Sequence, residues 1–386
     1  MSANTDTRAA DYTQIAAPTR PRLAGRIAAA FPESQRMSFT VTVQPSGRTF
    51  QVDRDEPILL AAIRQGVGLP YGCKDGACGS CKSRLIEGRV IHGTHQAKAL
   101  SVAEEAAGYT LTCRAAAQTD VVIEARTVAG LGEFPPRKMP ARVASIERPA
   151  PDVAVVRLQL PASDAFRFRA GQFVEFILRD GTRRSYSMAT DPERQGEVLG
   201  TGQPGIELHI RHMPGGVFTD HVFTALQPRD ILRLEGPFGS FFLREESPKP
   251  VVLLASGTGF APIKAILETL QRTASPRPAL LYWGCRSRTD LYLHDAVLRL
   301  CEAMPTLHYV PVLSEPRSAD HWRGRIGFVH EAVMADHPDL SAHQVYACGA
   351  PAMVEAAQRD LVARCALPAE EFYADAFTSE ADKHGN

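Results

Sequence analysis

The amino-acid sequence predicts three consecutive domains: a mixed α+β domain, an antiparallel β-barrel and an α/β domain with a parallel sheet. The chain has 386 residues, which is enough for roughly two or three domains. Short strand candidates at regular spacing fill its middle part, which is typical of an antiparallel barrel. From Pro250 onward, apolar strand candidates alternate with helical segments, which predicts a parallel sheet.

The first domain is predicted over residues 37–127, after a disordered extension. Residues 1–36 are rich in Ala, Arg and Pro and have no sustained apolar period, so we predict disorder there. The segments SFTVTVQ and RTFQVD alternate apolar and polar residues on either side of a Pro-Ser-Gly turn. Between Pro57 and Gly66, ILLAAIRQ predicts a helix, and VVIEAR further on predicts a closing strand.

The other two domains follow a predicted linker. Residues 128–138 contain two Gly and two Pro without periodicity, so we predict a linker there. The barrel is predicted over 139–246, with one helix at 217–226, and the α/β domain over 247–386. In the last domain we predict two helices, FAPIKAILETLQRT and PAMVEAAQRDLVARC, between strands such as VVLLAS and QVYACG. This alternation predicts helices on both faces of the sheet.

Composition and charge exclude several classes of protein. Apolar residues make up 44% of the chain and charged residues 22%, as in globular proteins, so a disordered or fibrous protein is excluded. There are 43 Lys and Arg and 43 Asp and Glu, so the zero formal net charge argues against binding to nucleic acid or an anionic membrane. No run of 18 apolar residues exists, and no charged-then-apolar leader is present. We expect a cytoplasmic monomer.

Four cysteines have the spacing of an iron–sulfur centre. Cys73, Cys78 and Cys81 lie within YGCKDGACGSC, and Cys113 follows at a distance. The spacing C-x4-C-x2-C with a remote fourth cysteine is the arrangement of plant-type [2Fe–2S] ferredoxins. Structural zinc is the alternative, but zinc ligands come more often as paired C-x2-C knuckles, and here there is one. Residues 37–127 resemble a ferredoxin domain, which implies a β-grasp fold.

The glycines of this loop suit the same chemistry. Two bridged irons need four thiolates, and three can come from one tight loop. Gly72, Gly76 and Gly79 allow that loop to curl, so that its backbone N–H groups point at the sulfurs and stabilise their negative charge.

A strand of the predicted barrel carries a flavin-binding pattern. RSYSM at 184–188 resembles the R-x-Y-S signature of the ferredoxin–NADP reductase superfamily. By this resemblance Arg184 meets a flavin phosphate, Tyr186 packs on the isoalloxazine ring and Ser187 hydrogen-bonds the nitrogen that accepts hydride. The candidate flavin-binding residues of this strand are Arg184, Tyr186, Ser187 and Met188.

A second segment, RHMPGGVFT, places two glycines directly before a predicted helix. Free N–H groups at a helix N-terminus and a nearby arginine form an anion site that suits the flavin pyrophosphate, which favours FAD over FMN. The candidate residues are Arg211, Gly215, Gly216, Val217 and Thr219.

Three segments that follow predicted strands of the last domain indicate a nicotinamide coenzyme. GTGFAP departs from the G-x-G-x-x-G fingerprint at its last glycine, but in third place after the other two motifs it resembles the NAD(P) domain of the same superfamily. The carboxyl ends of parallel strands, where open α/β sheets bind ligands, also carry GCR and CGAPAM. The candidates are Gly257, Thr258, Gly259, Pro262, Cys285, Arg286, Cys348, Gly349, Pro351 and Met353.

The catalytic candidates come from two of these segments and from the C-terminal strand. In the superfamily, the cysteine that matches Cys348 sits beside the nicotinamide and helps to position it. The segment FYADAF looks like the terminal strand that delivers an aromatic ring over the flavin, which implies stacking by Phe377 and a proton relay at Asp375. With Ser187, these residues are the catalytic candidates.

The preferred coenzyme depends on charges after the second and third strands of the last domain. Arg286, Ser287 and Arg288 could bind the 2′-phosphate of NADPH. Asp290 and Glu315 lie nearby, and an acidic group repels a phosphate but accepts a hydrogen bond from a ribose hydroxyl. We expect NADH, with NADPH as the alternative.

Together the three parts resemble the family of CDP-6-deoxy-Δ3,4-glucoseen reductases and of reductase components of bacterial multicomponent oxygenases. The resemblance implies a β-grasp [2Fe–2S] domain, an FAD-binding barrel, a parallel-sheet NAD(P) domain and electron transfer from NAD(P)H to a partner protein. A nicotinamide gives two electrons as a hydride and the cluster accepts one, whereas a flavin accepts the pair and releases them singly. The partner is a dehydrase or an oxygenase component. A non-catalytic redox sensor is a further alternative, against which Ser187, Cys348 and the aromatic terminus argue.

Overall fold

The computed structural model of the chain describes residues 38–163 and 166–378. The predicted disordered extension at 1–36 lies outside these residues. The described part contains three main sheets that follow one another along the chain.

The first sheet is mixed, with the strand order β2-β1-β7-β3-β5, and a short pair β4-β6 lies beside it. β1 pairs antiparallel with β2 and parallel with β7, and Ile58 and Leu59 of α1 are fully buried in the core of this domain. The predicted hairpin and helix are confirmed. The elements are β1 (Ser38–Gln44), β2 (Arg48–Asp53), α1 (Ile58–Arg64), β3 (Lys82–Glu87), β4 (Val90–His92), α2 (Val102–Ala106), β5 (Tyr109–Leu111), β6 (Ala115–Ala117) and β7 (Val121–Glu124).

The second sheet is antiparallel throughout, in the order β11-β10-β13-β8-β9-β12. An isolated bridge joins Met188, which directly follows one edge strand, to Leu208 of the opposite edge strand. The antiparallel architecture is confirmed, but the described residues contain no continuous ladder that closes a barrel. The elements are β8 (Arg137–Ala150), β9 (Val153–Gln159), β10 (Phe173–Ile177), β11 (Arg183–Ser187), β12 (Gly205–Arg211), α3 (Val217–Thr224) and β13 (Ile231–Phe238).

The predicted linker is shorter than expected and is held on both sides. β8 begins at Arg137, which pairs with Gly236 of β13 and lies within the range predicted as linker. The N–H of Val128 donates to the Gly68 carbonyl over 2.8 Å. Glu133 forms an ion pair of 2.6 Å with Arg169 in the second domain. The segment therefore contacts both domains that it connects.

The third sheet is parallel, in the order β17-β16-β15-β14-β18-β19. Alternate residues of β14 face two cores, one under α4 and α5 and the other under α6 and α7, so the prediction of helices on both faces is confirmed. The elements are β14 (Val251–Ser256), α4 (Phe260–Arg272), β15 (Ala279–Cys285), α5 (His294–Ala303), β16 (Leu307–Leu313), β17 (Arg325–Ile326), α6 (Val329–Asp336), β18 (Gln344–Gly349), α7 (Pro351–Arg364) and β19 (Phe372–Ala376).

The strand order reverses beside β14, whose neighbours are β15 on one side and β18 on the other. In open α/β sheets, ligands bind at the carboxyl ends of the strands where this reversal occurs. Ser256, Cys285 and Gly349 end these three strands at the same edge. No helix among the residues that the structure describes is long and apolar enough to cross a membrane.

Candidate functional site

A cavity of about 1230 Å³ lies between the second and third sheets. A cavity of this size can hold more than one cofactor-sized group. One wall is β11 with the loop before α3, and the opposite wall is the carboxyl edge of the parallel sheet. At one end the wall includes Gly72, Cys73 and Asp75 of the cysteine loop. Residues of all three predicted domains therefore meet at one cavity.

The predicted flavin strand forms part of the wall. Arg184, Tyr186 and Ser187 line the cavity, and the Tyr186 ring packs against Phe218, with 5.3 Å between centroids. The fourth candidate of this strand, Met188, has a side chain that is fully buried in the core of the second domain and does not line the cavity. An unbranched apolar side chain fills such a core well.

The loop before α3 has the shape of an anion cradle. Gly215 has φ +81° and Gly216 precedes the first residue of α3, so the free N–H groups of the helix start beside the cavity. A Cβ on Gly216 would lie 2.6 Å from Thr219 Oγ1, so a side chain there would displace the turn. Val217 and Thr219 line the cavity as predicted.

A partly buried arginine, two of whose guanidinium nitrogens are fully buried, faces this cradle. Arg211 lines the cavity, and its buried Nη2 has no hydrogen-bond partner. Its Nε lies 3.4 Å from an Asp152 oxygen, an ion-pair contact without hydrogen-bond alignment. Because an unsatisfied buried guanidinium is costly, this atom indicates a site for an anionic group. These features fit a flavin with a pyrophosphate.

The turn between β14 and α4 contributes fewer cavity residues than predicted. Gly257 and Thr258 line the cavity, whereas Gly259 and Pro262 do not. A Cβ on Gly259 would overlap the carbonyl oxygen of Cys348, so this glycine allows the turn to pack on β18. Pro262 lies in the first turn of α4, where no N–H donor is needed. Both residues lie behind the cavity wall and do not line the cavity.

Three of the catalytic candidates meet at one carboxylate. Ser187 Oγ donates a hydrogen bond of 3.1 Å to Asp375 Oδ2, and Cys348 Sγ lies 3.8 Å from the same oxygen. The register of β18 and β19 pairs Cys348 with Asp375, which brings the thiol and the carboxylate side by side. Ser187 and Asp375 line the cavity, but Cys348 is fully buried behind them.

Burial raises the pKa values of both Asp375 and Cys348. Burial raises the pKa of Asp375 to about 6, although hydrogen bonds from Ser187 and Cys348 oppose the shift. Burial, together with the neighbouring Asp375 carboxylate, raises the pKa of Cys348 well above that of an ordinary thiol. The cysteine is therefore a neutral donor, and the carboxyl can hold or release a proton near neutral pH.

The C-terminal residues of the site lie along the end of β18. Phe377 lines the cavity, and its backbone N–H donates to the Gly349 carbonyl over 2.8 Å. Gly349, Pro351 and Met353 line the cavity as predicted. The Ser256 hydroxyl accepts a hydrogen bond of 2.8 Å from the backbone N–H of Ala350, which ties the end of β14 to this loop.

The residues expected to select the coenzyme divide into two groups. Arg286 and Asp290 line the cavity, whereas Arg288 and Glu315 do not. Asp290 Oδ2 accepts hydrogen bonds of 3.0 Å from both the backbone N–H and the hydroxyl of Ser287. The cavity wall therefore presents one cation and one hydrogen-bonded carboxylate at this end.

Several cavity residues were not found from the sequence. Cys285 lies at the end of β15 as predicted, but the cavity is also lined by Phe328 and His330 at the start of α6 and by Arg359 and Asp360 of α7. The Phe328 side chain is 61% exposed. The position of Phe328 just beyond a parallel strand could have identified it as a cavity residue. That strand has only two residues, however, and its pattern is too short to recognise.

The four cysteines form two pairs. The side chain of Cys73 contacts that of Cys78, and the side chain of Cys81 contacts that of Cys113. The N–H of Cys73 points at Cys78 Sγ over 3.4 Å. Within 38–163 and 166–378, no group of three or more His, Cys, Asp and Glu side chains is arranged to hold a single metal ion. Two pairs fit a cluster of two irons, in which each iron takes two thiolates.

The backbone of the loop matches this use. The N–H groups of Asp75 and Ala77 donate to the sulfur of Cys73, as predicted for a loop that stabilises negative charge. Gly76 and Gly79 have φ +78° and +77°, which residues with side chains rarely adopt. The donor set and the loop therefore fit a [2Fe–2S] cluster.

Comparison with known proteins agrees with this geometry. Three family models match in sequence: the 2Fe-2S iron-sulfur cluster binding domain at 41–118, the oxidoreductase FAD-binding domain at 140–243 and the oxidoreductase NAD-binding domain at 253–359. The CDP-6-deoxy-L-threo-D-glycero-4-hexulose-3-dehydrase reductase of Yersinia pseudotuberculosis is 39% identical over 88% of this chain and 99% of its own length. The chain belongs to the family of iron–sulfur flavoprotein reductases.

Other members of the family resemble this reductase over a similar span. Reductase component 2 of the terephthalate 1,2-dioxygenase of Comamonas is 33% identical over 90% of this chain and all of its own length. The crystal structure of an Amycolatopsis cytochrome P-450 reductase has a TM-score of 0.73 and 33% identity, and the match covers 88% of this chain and 99% of that one. The reductase is thus an oxidoreductase whose [2Fe–2S], FAD-binding and NAD-binding domains support electron transfer, as the sequence indicated.

Proposed function

We propose that this reductase takes a hydride from NADH at its flavin site and passes the two electrons singly, through the [2Fe–2S] cluster, to a separate protein. The main support is the single cavity whose wall runs from the carboxyl edge of the parallel sheet, past Tyr186 and Ser187, to Cys73. A bound flavin would accept two electrons together and release them one at a time. The protein supplies the binding, the orientation and the protons.

The residues of the cavity have distinct roles in this proposal. Arg184, Arg211 and the N–H groups at the start of α3 bind the phosphates of FAD. Tyr186 and Phe377 pack against the ring system, and Ser187 orients it by a hydrogen bond. Asp375 holds a proton at Oδ2, which its raised pKa of about 6 makes available near neutral pH.

Cys348 and the glycine-rich ends of the parallel strands serve the coenzyme. The coenzyme can approach the protein backbone closely at the edge of the parallel sheet, where the cavity is lined by Gly257, Thr258 and Gly349. The neutral Cys348 lies behind Asp375 and fixes the carboxylate beside the nicotinamide position. In this role Cys348 is a positioning residue, because it does not reach the cavity itself.

We propose NADH as the preferred coenzyme. Asp290 at the cavity wall repels a 2′-phosphate and can accept a hydrogen bond from a ribose hydroxyl. Arg286 on the same wall favours NADPH. Glu315 does not line the cavity, so its charge does not support either coenzyme. The test is kcat/KM for both coenzymes: a higher value for NADPH would contradict the proposal.

For the electron acceptor we propose a dehydrase that holds a sugar intermediate. The support is the 39% identity to a dehydrase reductase over nearly its entire length. An oxygenase component is the second candidate, supported by 33% identity to a terephthalate dioxygenase reductase. The two are separated by reducing the protein with one equivalent of NADH and mixing it with each purified acceptor. The true partner reoxidises the cluster rapidly, and the other leaves it reduced.

The remaining expectations concern the state of the protein in the cell. We propose that it acts as a cytoplasmic monomer with domains over 37–127, 139–246 and 247–386. All eight cysteines are free of disulfide bonds, which supports a reducing compartment. Light scattering of the holoenzyme tests the monomer, and fractionation of the source cells tests the location.

A further inference from the structure

The loop that carries three of the cysteines is joined to the second domain by a buried lysine. Lys74 follows Cys73 directly in sequence, and its Nζ lies 2.8 Å from Oε1 of Glu175 on β10. The side chains of Lys74 and Glu175 are 12% and 5% exposed. Because both charges are largely removed from water, loss of the lysine removes one of the positive charges that compensate the buried Glu175 carboxylate, which is costly.

Further contacts enclose this ion pair. Lys74 Nζ lies 3.5 Å from the centroid of the Phe238 ring, a cation–π contact with β13. The second oxygen of Glu175 accepts a hydrogen bond of 2.9 Å from Arg183 Nη1, and Arg183 Nη2 reaches Glu235 over 2.6 Å. Glu175 is therefore held between two cations, one from each domain.

The backbone of Lys74 indicates that its side chain is needed. Lys74 has φ +62°, in the left-handed region where glycine is more stable than a residue with a Cβ. The two other left-handed positions of this loop, Gly76 and Gly79, are glycines. A strained backbone persists where the surrounding contacts hold it. At position 74 those contacts are the ion pair and the aromatic ring.

The ion pair links the two proposed redox sites by a short route. Glu175 pairs with Ser185 of β11, the residue between Arg184 and Tyr186 of the flavin strand. The opposite end of the pair is next to Cys73, which lines the same cavity as Tyr186. One buried interaction therefore spans from the flavin strand to a cluster cysteine.

A second lysine of the same loop offers a contrast. Lys82 follows Cys81 directly, as Lys74 follows Cys73, but its Nζ pairs with Glu104 of the same domain over 2.6 Å. Both lysines directly follow a cluster cysteine in sequence and form an ion pair with a glutamate. Of these two ion pairs, the one at Lys74 crosses to the second domain.

We propose that Lys74 positions the cluster loop against the flavin strand and thereby sets the rate of electron transfer from the flavin to the cluster. This inference rests on the proposed order of carriers. Electron transfer between two fixed carriers slows steeply as their separation grows. Loss of the ion pair leaves Glu175 bound to Arg183 of its own domain but no longer to the loop, so the loop loosens and that separation increases.

The test compares Lys74→Met, Lys74→Arg and Lys82→Met in the holoenzyme. Rapid mixing with NADH follows flavin reduction and then cluster reduction by absorbance and electron paramagnetic resonance. For Lys74→Met we expect unchanged NADH–ferricyanide activity and a flavin-to-cluster step slower by about ten- to a hundredfold. Lys74→Arg retains the charge and most of the rate, and Lys82→Met transfers electrons at the wild-type rate.

Two readouts do not depend on turnover. Hydrogen exchange of the loop amides around Cys73 increases in Lys74→Met but not in Lys82→Met. The midpoint potential of the cluster is measured in both Met variants, so that any change in driving force from the lost positive charge is known for each. The slower step in one variant alone then reflects positioning rather than charge.

The outcomes separate this inference from the proposed function. If the wild-type cluster is not reduced after the flavin, the proposed order of carriers is wrong. If the order holds but Lys74→Met transfers at the wild-type rate, the role of Lys74 is wrong. The role is also overturned if Lys82→Met slows the step equally, or if Lys74→Arg is as slow as Lys74→Met.

Discussion

A single buried carboxylate determines the pH behaviour of the site. Asp375 accepts hydrogen bonds from Ser187 and Cys348, yet burial dominates and raises its pKa from the usual 3.8 to about 6. The folded state therefore binds this proton more tightly than the unfolded chain does. Stability that depends on the protonated form is present at low pH and is lost as the pH rises through 6.

The first prediction tests this shift. Asp375→Asn keeps the shape of the side chain and removes its ionisation. Relative to the wild type, the variant gains stability as the pH rises from about 4 to 7, by roughly 3 kcal/mol in total, because it avoids the buried charge. Denaturant unfolding at pH 4 and pH 8 measures the difference. A difference that does not change with pH would show that Asp375 is not shifted.

The second prediction concerns the cradle before α3. Gly216→Ala places a Cβ against Thr219 Oγ1 and displaces the N–H groups at the start of the helix. We expect FAD affinity to fall about tenfold, which corresponds to about 1.4 kcal/mol. Titration of the FAD-depleted protein with FAD measures this. Gly196→Ala is the control, because its nearest contact, at 3.5 Å, is an ordinary one, and it retains wild-type affinity.

At the scale of elements, the segments with a recognisable apolar pattern were predicted from the sequence, and the shortest strand, β17, was not. α4 and α7 carry apolar residues with the period of a helix, and β14 is a continuous apolar run, so their patterns identify them. β17 has two residues, and α6 follows it directly. No period can be recognised in so short a strand, and the part of the site formed by Phe328 and His330 was missed with it.

Most residues of the predicted cofactor motifs line the cavity, and four of them do not. Glycine spacing and cysteine spacing reflect local backbone geometry, which a sequence records directly. Whether Met188, Gly259, Pro262 and Cys348 face the cavity depends on packing between segments distant in sequence. Such packing leaves no local pattern, and these four residues lie behind the wall rather than in it.

The third prediction concerns the turn between β14 and α4. In Gly259→Ala the added Cβ overlaps the Cys348 carbonyl, so the turn must move away from β18. We expect a loss of roughly 1–3 kcal/mol in stability, as for an overpacked core, and a higher KM for NADH. Thermal unfolding and steady-state kinetics measure both. A variant with unchanged stability and KM would contradict the close approach, and Gly196→Ala again serves as the control.

At the scale of the whole molecule, three sheets meet at one cavity in the order in which electrons are proposed to pass. The parallel sheet contributes the end at Gly257, the second sheet contributes Tyr186 and Ser187, and the cysteine loop contributes Cys73. Hydride transfer needs the last two domains, whereas single-electron delivery needs the cluster as well. A change to the cluster should therefore divide the activities of the reductase into two groups.

Replacement of one cluster ligand tests this division most directly. A hydroxyl is a poor substitute for a thiolate toward iron, so Cys78→Ser depletes the cluster. The second and third domains have their own cores and retain FAD. Cys301→Ser, at a half-buried cysteine of α5 outside the loop, is the control and keeps both activities.

The decisive measurement is the ratio of NADH–cytochrome c to NADH–ferricyanide activity in purified Cys78→Ser that is shown to retain FAD. The proposed order of carriers predicts ferricyanide reduction near the wild-type rate and cytochrome c reduction lower by at least about tenfold. If NADH no longer reduces the flavin in this variant, or if cytochrome c is reduced as fast as by the wild type, electrons do not pass from NADH through the flavin to the cluster in that order.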